Sequence, residues 1–378
     1  MREAMSHHHT MPDTPYPRRI FLSAVGLTPQ VVTESLYLLA TAVPPFIPDE
    51  IHLITTEEGL RRIELMLKPG LAELADDLGC SNMIGAIQPN SVHLLRDLNG
   101  LPISDIHSNI DNELAANTIC DLVRFLTSDH ASQLHVSIAG GRKTMTFLLG
   151  YALSLYGRPQ DALSHVLVNE PFQNHPEFFF PPRTPKVLLT QRHRPVSTDE
   201  ARLVLAEIPF VRLRHGMPAD LLAGTASYSE TVSRVQLAFA APQIHFDVGR
   251  RRLTCQDILI SLPPLLLAFY ACFIFRRQKD NPAGWRDLSP NEIRAVYTLL
   301  HGTDAVHWGR VCRGLPSRQD DMKEYFEQKK AALHKALRAS LGSAATRYML
   351  QPVGKRPMTR FQLSLDPSAI KITGNDAR

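Results

Sequence analysis

LHVSIAGGRKTMTFLLGYALSLYG, residues 134–157, combines a short apolar run, a glycine turn and a long amphipathic stretch. The same order occurs at 19–41 and at 50–79, and a further apolar run begins at 165. This alternation is the β-α-β-α rhythm of a parallel sheet. The apolar runs contain few polar residues, as is typical of strands covered by helices on both faces. We therefore predict an α/β fold with a doubly wound, Rossmann-like parallel sheet.

The 378 residues are enough for two or three domains. Residues 1–17 are interpreted as a tail and 18–195 as a ligand-binding α/β domain. The segment 169–186, NEPFQNHPEFFFPPRTPK, contains five prolines and no sustained periodicity, which places a boundary near residue 195. Residues 196–245 are then a helical connection, and 246–378 form a second domain. Within the connection, Ser197, Thr198 and Asp199 are candidate caps for a helix over 200–214.

The second domain has a different pattern. Ser289 and Pro290 have the order of an N-cap and first helical residue, and Met322–Leu341 has helical spacing that stops at Gly342. Two strand-like runs around a basic turn follow this helix. Helices followed by a hairpin predict an α+β winged helix.

The chain carries a net charge of +4, but 310–378 contains fourteen Lys and Arg against six Asp and Glu, hence +8. A polyanion is therefore a candidate partner of this segment, although a solvated basic surface has the same composition. The apolar run 258–275 is interrupted by Pro263 and Pro264, which favours a buried core helix over a membrane span.

Five widely spaced cysteines, with no CxxC pair, and a beginning without a secretory apolar stretch predict a reduced, cytoplasmic protein. The three consecutive histidines at 7–9 receive no function. Paired carboxylates, metal-ligand spacings and a nucleophile elbow are missing from the sequence, so we expect neither a metal nor a cofactor.

The first candidate loop joins strand and helix at 23–34. Gly26 supplies a turn, and hydroxyl and amide side chains are provided by Ser23, Thr28, Gln30 and Thr33. Backbone N–H groups at a helix start favour an anion. The alternative is an ordinary capped helix with Thr28 as its N-cap.

The second loop contains Gly140, Gly141, Arg142, Lys143 and Thr144 between another strand and helix. The glycines allow the backbone to approach a ligand closely, and two cations lie beside helix-start N–H groups. The spacing differs from both GxxxxGK[ST] and GxGxxG, so neither an ATPase nor a dehydrogenase is indicated. An exposed basic helix start is the alternative interpretation. Both loops follow strands, where open α/β sheets bind ligands.

Two further segments are weaker candidates. The polar stretch 105–112 contains His107 and Asp111, which are either ligand contacts or part of a helix cap. The aromatic residues Phe172 and 178–180 are either stacking surfaces for a base or, as we favour, a small satellite core.

Three segments, SAVGLTPQVVTESLY, SIAGGRKTMTFLLGYALSLYGR and HVLVNEPF with HPEFFFP, resemble the CRISPR-associated proteins that carry a CARF domain, a Rossmann-like sensor of cyclic oligoadenylates. The resemblance covers roughly residues 18–190. Downstream, KKAALHKALRASLG and the basic hairpin resemble the winged-helix domain of some CARF proteins. The resemblance implies a homodimer, with no membrane association, that binds one cyclic oligoadenylate, tetra-adenylate being favoured, across its two-fold axis.

Some CARF proteins are ring nucleases that open the ring without a metal, leaving a cyclic phosphate end. The resemblance assigns Lys143 and Arg142 to the phosphorane charge, and Thr28 or Ser23 to the attacking ribose. The remaining ring contacts expected from it are Gly26, Gln30, Thr33, Gly140, Gly141, Thr144, His107 and Asp111.

A ring nuclease that ends antiviral signalling is therefore our first hypothesis. No Arg-x4-6-His motif of the usual ribonuclease partner is evident, since Arg318 and His334 lie too far apart. The alternative is a regulator in which the ring biases a winged helix that binds duplex DNA through Lys329, Lys330, Lys335 and Arg338. A ring-activated nuclease acting on other RNA is a third, less favoured, hypothesis.

Overall fold

The computed structural model describes residues 16–88, 90–224, 226–237, 240–302, 309, 314–316, 321–354 and 359–374. Residues 1–15 of the predicted tail with its histidines, Cys312, Arg318 and the basic turn at 355–357 lie outside these residues. The chain divides into two compact units, one ending at Arg214 and one beginning at His215. The predicted domain bounds, including the one near 195, stay predictions.

The first unit is built from strands that alternate with helices. A π-helical turn, Ile63–Leu67, joins its second and third helices. Its elements are β1 (Arg18–Val25), α1 (Gln30–Thr41), β2 (Glu50–Thr55), α2 (Glu57–Arg62), α3 (Lys68–Leu78), β3 (Val92–Leu94), α4 (Asn109–Leu126), β4 (Ser132–Ser137), α5 (Lys143–Tyr156), β5 (Ala162–Val168), β6 (Val187–Leu189), β7 (Pro195–Ser197) and β8 (Leu203–Glu207).

The central sheet has the strand order β3-β2-β1-β4-β5-β8. All neighbours are parallel except β8, which runs antiparallel to β5. The chain moves outward from β1 to β3 and then returns to place β4 beside β1, with Ser23 opposite Ser137. The predicted Rossmann-like α/β sheet is confirmed. Its strand order reverses between β1 and β4, the position at which such sheets bind ligands.

Apolar residues on both faces of the sheet hold this unit together. Phe21 and Leu22 point to opposite faces of β1, and both are fully buried. Helix α1 packs its Val32 and Leu36 into the core on one side, together with Leu67 and other apolar residues of the segment that follows β2. The near-continuous apolar runs of the sequence therefore reflect strands covered on both sides.

The predicted helix over 200–214 is wrong. The cap chemistry is present, because Ser197 and Glu200 form a capping box, but it starts only a single 3₁₀ turn, Thr198–Glu200. Leu203–Glu207 instead pairs with β5, whose outer edge would otherwise leave its backbone groups without partners. Tertiary pairing therefore outweighs the helix propensity of the Leu, Ala and Glu residues here.

The second unit has an α+β composition. A four-stranded sheet has the order β11-β10-β9-β14, and a separate antiparallel hairpin joins β12 to β13. The elements are α6 (Ala219–Ala223), α7 (Tyr228–Leu237), β9 (Ile244–Asp247), β10 (Arg252–Cys255), β11 (Ile258–Leu259), α8 (Pro264–Gln278), α9 (Pro290–His301), α10 (Met322–Leu341), β12 (Leu350–Val353), β13 (Arg360–Leu363) and β14 (Ile370–Thr373).

The helix signals of this unit are confirmed. Ser289 caps α9 by accepting from the N–H of Glu292, Pro290 is its first residue, and Gly342 ends α10. Helix α8 is a core helix as predicted, since residues 266–274 are all buried. No helix in the described part of the chain is long and apolar enough to cross a membrane.

Candidate functional site

The two predicted loops lie against each other at the carboxyl ends of β1 and β4. A Cβ placed on Gly26 would stand 3.2 Å from the Cα of Gly141, and one placed on Gly141 would stand 2.7 Å from the Cβ of Ala24. Gly141 also has φ +84°, a conformation that favours glycine. The glycines therefore bring one loop against the other, whereas the sequence suggested that they admit a ligand.

Thr28 lies where two cavities meet. One cavity of about 160 Å³ extends beneath the start of α1, and we call it the α1 cavity. The other, of about 310 Å³, lies between the two loops, and we call it the loop cavity. Thr28 lines both. It does not cap α1: Pro29 occupies the N-cap position, and no side chain there accepts a helix N–H.

The loop cavity is lined by residues of both loops, by the segment before α4 and by Thr56, Glu58 and Gly59 at the start of α2. Gly26 and Thr28 come from the first loop, and Gly141 and Arg142 from the second. The guanidinium of Arg142 forms an ion pair with Asp105, and its Nε donates to Oδ1 at 2.7 Å. The positive charge predicted for this loop is therefore lower than expected, because Asp105 offsets the charge of Arg142.

Lys143 is the first residue of α5 and is exposed, as is the adjacent Thr144. The structure assigns the Lys143 ammonium no ion-pair partner among the described residues. A cation at a helix start is not stabilised by the helix dipole, which favours an anion there. The Lys143 ammonium and the backbone N–H groups of the helix start are therefore both positive groups at this end of α5.

The α1 cavity contains two buried polar side chains from one face of α1. Gln30 and Glu34 are each 4% exposed and stand one helical turn apart. The Gln30 amide donates from Nε2 to the carbonyl of Pro176 at 3.1 Å, and its Oε1 is buried without a partner. Burial raises the pKa of the Glu34 carboxyl to about 8, so this group is largely protonated at neutral pH.

Two predicted contacts are not directed into either cavity. Ser23 is fully buried inside β1, and its hydroxyl donates to the carbonyl of Ala24. Thr33 is also fully buried, and its hydroxyl donates to the carbonyl of Gln30 at 2.8 Å. Both hydroxyl groups therefore form hydrogen bonds to backbone carbonyls inside the α/β unit.

His107 and Asp111 lie at the start of α4. Ser108 and Asp111 form a capping box, and the Asp111 carboxylate also accepts from the N–H of His107 at 3.1 Å. These hydrogen bonds lower the pKa of Asp111. Neither His107 nor Asp111 lines a described cavity, so the geometry favours the cap over a ligand contact.

The aromatic segment belongs to the core, as we favoured. Phe172 and Phe178 are 5.0 Å apart between ring centroids and form a small cluster with Leu188. Phe180 is buried against the main core, and Phe179 packs on it. Of these rings, none lines the two cavities.

The chain matches one known protein family. The model of CRISPR-associated protein NE0113 matches residues 28–258, which is more than half of the sequence. The chain belongs to the CRISPR-associated protein NE0113 family. Family membership indicates a role in CRISPR defence. No curated protein matches the chain.

The NE0113 match runs from Thr28 to β11 and so includes most of the candidate site. Within it, Glu34, Asp105, His165 and Asn174 line the two cavities but had no role in the sequence-based hypotheses, although all four belong to segments quoted above. Glu34 carried a usable signal, because it follows Gln30 by four residues on the same helix face. Asp105 carried no such signal, because it approaches Arg142 only in the folded chain.

Proposed function

We propose that this NE0113-family protein binds a cyclic oligoadenylate, with tetra-adenylate favoured, across the carboxyl edge of its sheet and opens the ring without a metal. The observation that carries the proposal is Lys143, an exposed cation at the start of α5 that follows Arg142 of the loop cavity, at the sheet's switch point. A cyclic oligoadenylate is a ring of phosphodiesters, and an ammonium and backbone N–H groups at a helix start favour such an anion.

Lys143 is the residue to which we assign stabilisation of charge on the phosphoryl group. Arg142, which shared this role in the sequence hypothesis, has its charge offset by Asp105. Its remaining contribution is to hold the segment before α4 against the second loop. Lys143 directly follows Arg142, which lines the loop cavity.

In the proposed reaction a ribose 2′-oxygen forms a bond to the adjacent phosphorus as the bond from phosphorus to the 5′-oxygen breaks. The proton leaves the 2′-hydroxyl for solvent, and the departing 5′-oxygen takes one up. The products are a 2′,3′-cyclic phosphate and a free 5′-hydroxyl. Thr28 orients the attacking ribose, because it is half-exposed at the junction of the cavities. Orientation alone supplies much of the rate in such a reaction.

A homodimer completes the proposed site. Large apolar side chains are exposed close to the loops: Leu27 is 64% exposed and Phe147 is 63% exposed. Phe147 also stacks on Tyr151 along α5, with 5.8 Å between ring centroids. A second copy of the chain would cover these residues and place two sets of loops around one ring.

The test is incubation of the purified protein with labelled cyclic tri-, tetra- and hexa-adenylate in EDTA, resolved by chromatography. We expect conversion of the tetra-adenylate to linear products with 2′,3′-cyclic phosphate ends. Intact rings in every reaction would exclude ring cleavage, and a parallel binding measurement would then separate a sensor from a protein that does not recognise the ring.

Binding of duplex DNA is a second candidate function, supported by α10 and the hairpin β12–β13 that follows it. Lys335 and Arg338 are exposed on α10. Lys330 is less available, because it pairs with Glu327 and lies 4.0 Å from the ring centroid of Phe361. If DNA is the partner, K335A and R338A should each lower affinity and reduce its salt dependence, whereas K330A should act less through charge. Lack of DNA binding at low salt would exclude this function.

A further inference from the structure

The four-stranded sheet of the second unit has one face in the core and one face toward solvent. Buried residues alternate with exposed or half-buried ones along β9, β10 and β14, as expected for a sheet that is covered on one side. The buried positions, among them Phe246 and Leu253, belong to the core of this unit. We call the other side the open face. It carries His245, Arg252, Thr254, Leu259, Lys371 and Thr373.

Cations dominate the charge of the open face. Arg252 of β10 and Lys371 of β14 are exposed on either side of β9, and Arg250 and Arg251 are exposed in the turn that joins β9 to β10. Among the described residues these four cations have no ion-pair partner, whereas other arginines of this unit pair with carboxylates. Asp247 lies on the same face, and its Oδ1 accepts from the N–H of Arg250 at 2.8 Å. The face therefore keeps a net positive charge and is complementary to a polyanion.

An exposed ring lies at the centre of the open face. His245 pairs with Lys371 on one side and with Thr254 on the other, and Thr254 pairs with Leu259. Neighbouring strands are about 4.8 Å apart, so a cation, a ring, a hydroxyl and an apolar side chain follow one another across the sheet. The ring is held by Thr373, whose Oγ1 lies 3.0 Å from His245 Nε2. This combination suits single-stranded nucleic acid, because its bases stack on rings while its phosphates pair with cations.

The width of the sheet argues against duplex DNA as the occupant. The order β11-β10-β9-β14 has three spacings of about 4.8 Å, or about 14 Å between the outer strands. The major groove of B-DNA is about 12 Å wide and admits a two-stranded ribbon rather than a sheet of this width. An open sheet face with an exposed ring instead suits unpaired bases, and four-stranded sheets bind single-stranded RNA in this way.

We propose that the open face binds single-stranded nucleic acid, with the His245 ring stacked on a base and Arg252, Lys371 and the two turn arginines on phosphates. This goes beyond the proposed function, because the open face belongs to the second unit and the two loops belong to the first. It also differs from binding of duplex DNA by α10 and its hairpin. An acidic protein would match the charge alone, whereas the exposed ring favours bases.

The experiment measures binding of a labelled twelve-nucleotide oligouridylate to the full chain by fluorescence anisotropy. Uridine is chosen because it contains no adenine, so the probe is distinct from the ring of the proposed function. Four phosphate contacts should give a slope of about −3 for the logarithm of affinity against the logarithm of salt concentration. A duplex of the same length should bind at least about tenfold more weakly. Oligothymidylate shows whether the 2′-hydroxyl contributes, and binding of either single strand supports the proposal.

Three kinds of variant separate charge, stacking and position. Arg252→Gln and Lys371→Gln should each lower affinity by about 3–10-fold and make the salt slope shallower by about 0.7. His245→Ala should lose at least about fivefold in affinity with an unchanged salt slope, and His245→Phe should restore it. Lys323→Gln is the control, because Lys323 is an exposed lysine of the same unit that lies on α10. It should bind as the wild type does.

The outcomes distinguish this site from the others. Duplex binding as tight as single-strand binding, or equal loss in Lys323→Gln and Lys371→Gln, overturns the proposal. Displacement of the oligouridylate by polyglutamate of equal charge shows a general polyanion surface and overturns it too. Displacement by excess cyclic tetra-adenylate places the probe at the ring site and likewise overturns it. Each failure leaves the proposed function standing, because ring binding and opening are measured with a different ligand.

Discussion

The carboxylate of Asp105 holds the guanidinium of Arg142, with Nε and Oδ1 2.7 Å apart, although the two residues come from different parts of the chain. Asp105 precedes α4, and Arg142 occupies the N-cap position of α5. The pair offsets one positive charge of the second loop and leaves Lys143 as its cation without an ion-pair partner among the described residues. Because Arg142 is ion-paired and Lys143 is not, we expect changes at Asp105 and at Lys143 to have different effects.

Asp105→Asn should tighten binding of cyclic tetra-adenylate and make it more sensitive to salt, because it releases the charge of Arg142 toward the phosphates. The free energy of unfolding should change by less than about 1 kcal/mol, since Arg142 is largely exposed. Affinity measured from low to high salt checks this. Asp49→Asn, which disrupts the pair of Asp49 with Arg19 at the opposite edge of the sheet, should leave affinity unchanged. Weaker binding by Asp105→Asn would contradict the argument.

Lys143→Ala should slow ring opening by about 10²–10³-fold while reducing affinity far less, because its charge matters most when the phosphorane forms. Single-turnover reactions at saturating protein measure the chemical step, and equilibrium binding measures affinity. Lys68→Ala is a suitable control, since Lys68 is a half-exposed lysine of the same unit whose ammonium pairs with Glu64 of the preceding π-helical turn. An unchanged cleavage rate for Lys143→Ala would remove this residue from the mechanism.

Gly141→Ala should destabilise the protein more than Gly79→Ala. Both glycines have positive φ, +84° and +69°, so each substitution strains the backbone by about 1–3 kcal/mol. Only at Gly141 does the new Cβ also meet a neighbour, Ala24, whereas the space beside Gly79 is open. The extra crowding should add about 1–3 kcal/mol, measurable by urea unfolding followed by circular dichroism. Equal losses in the free energy of unfolding for the two variants would show that the two loops separate easily.

Glu34→Gln should stabilise the protein increasingly as the pH rises from about 5 to 8. The carboxyl has its pKa raised to about 8 in the folded chain, against an ordinary value near 4.5. Over this interval the unfolded chain releases the proton and the folded chain keeps it, so the wild type loses stability as the pH rises. At pH 8 the variant should gain about 1–3 kcal/mol in free energy of unfolding. Glu64→Gln, at a half-exposed position, should show no such trend. If the free energy of unfolding depends on pH in the same way in Glu34→Gln and in the wild type, Glu34 is not the group whose ionisation lowers stability.

Much of the fold is predictable because it follows from local patterns in the sequence. Apolar runs followed by helical stretches locate the parallel strands, and Ser289 with Pro290 locates the start of α9. The helix predicted after Ser197 fails for a physical reason. Its capping box is a local signal, whereas the edge of β5 recruits Leu203–Glu207 from outside that local window.

The site is only partly predictable. Placement of the two loops at one edge follows from their position after parallel strands, since the carboxyl ends of such strands share an edge. The orientation of individual hydroxyls does not follow. Ser23 and Thr33 belong to those segments, yet both are buried inside the unit, because strand and helix geometry directs side chains toward whichever neighbour covers them.

The sequence by itself determined the α/β architecture, the order of the loops and the residue types at the sheet edge, because periodicity and turn chemistry act over a few residues. Only the tertiary structure decided that Gly141 packs on Gly26, that Asp105 neutralises Arg142 and that Gln30 and Glu34 become buried beside a cavity. Charge pairing and burial depend on neighbours far away in the chain. The chemistry of Lys143 and Glu34 is therefore set by the fold around them.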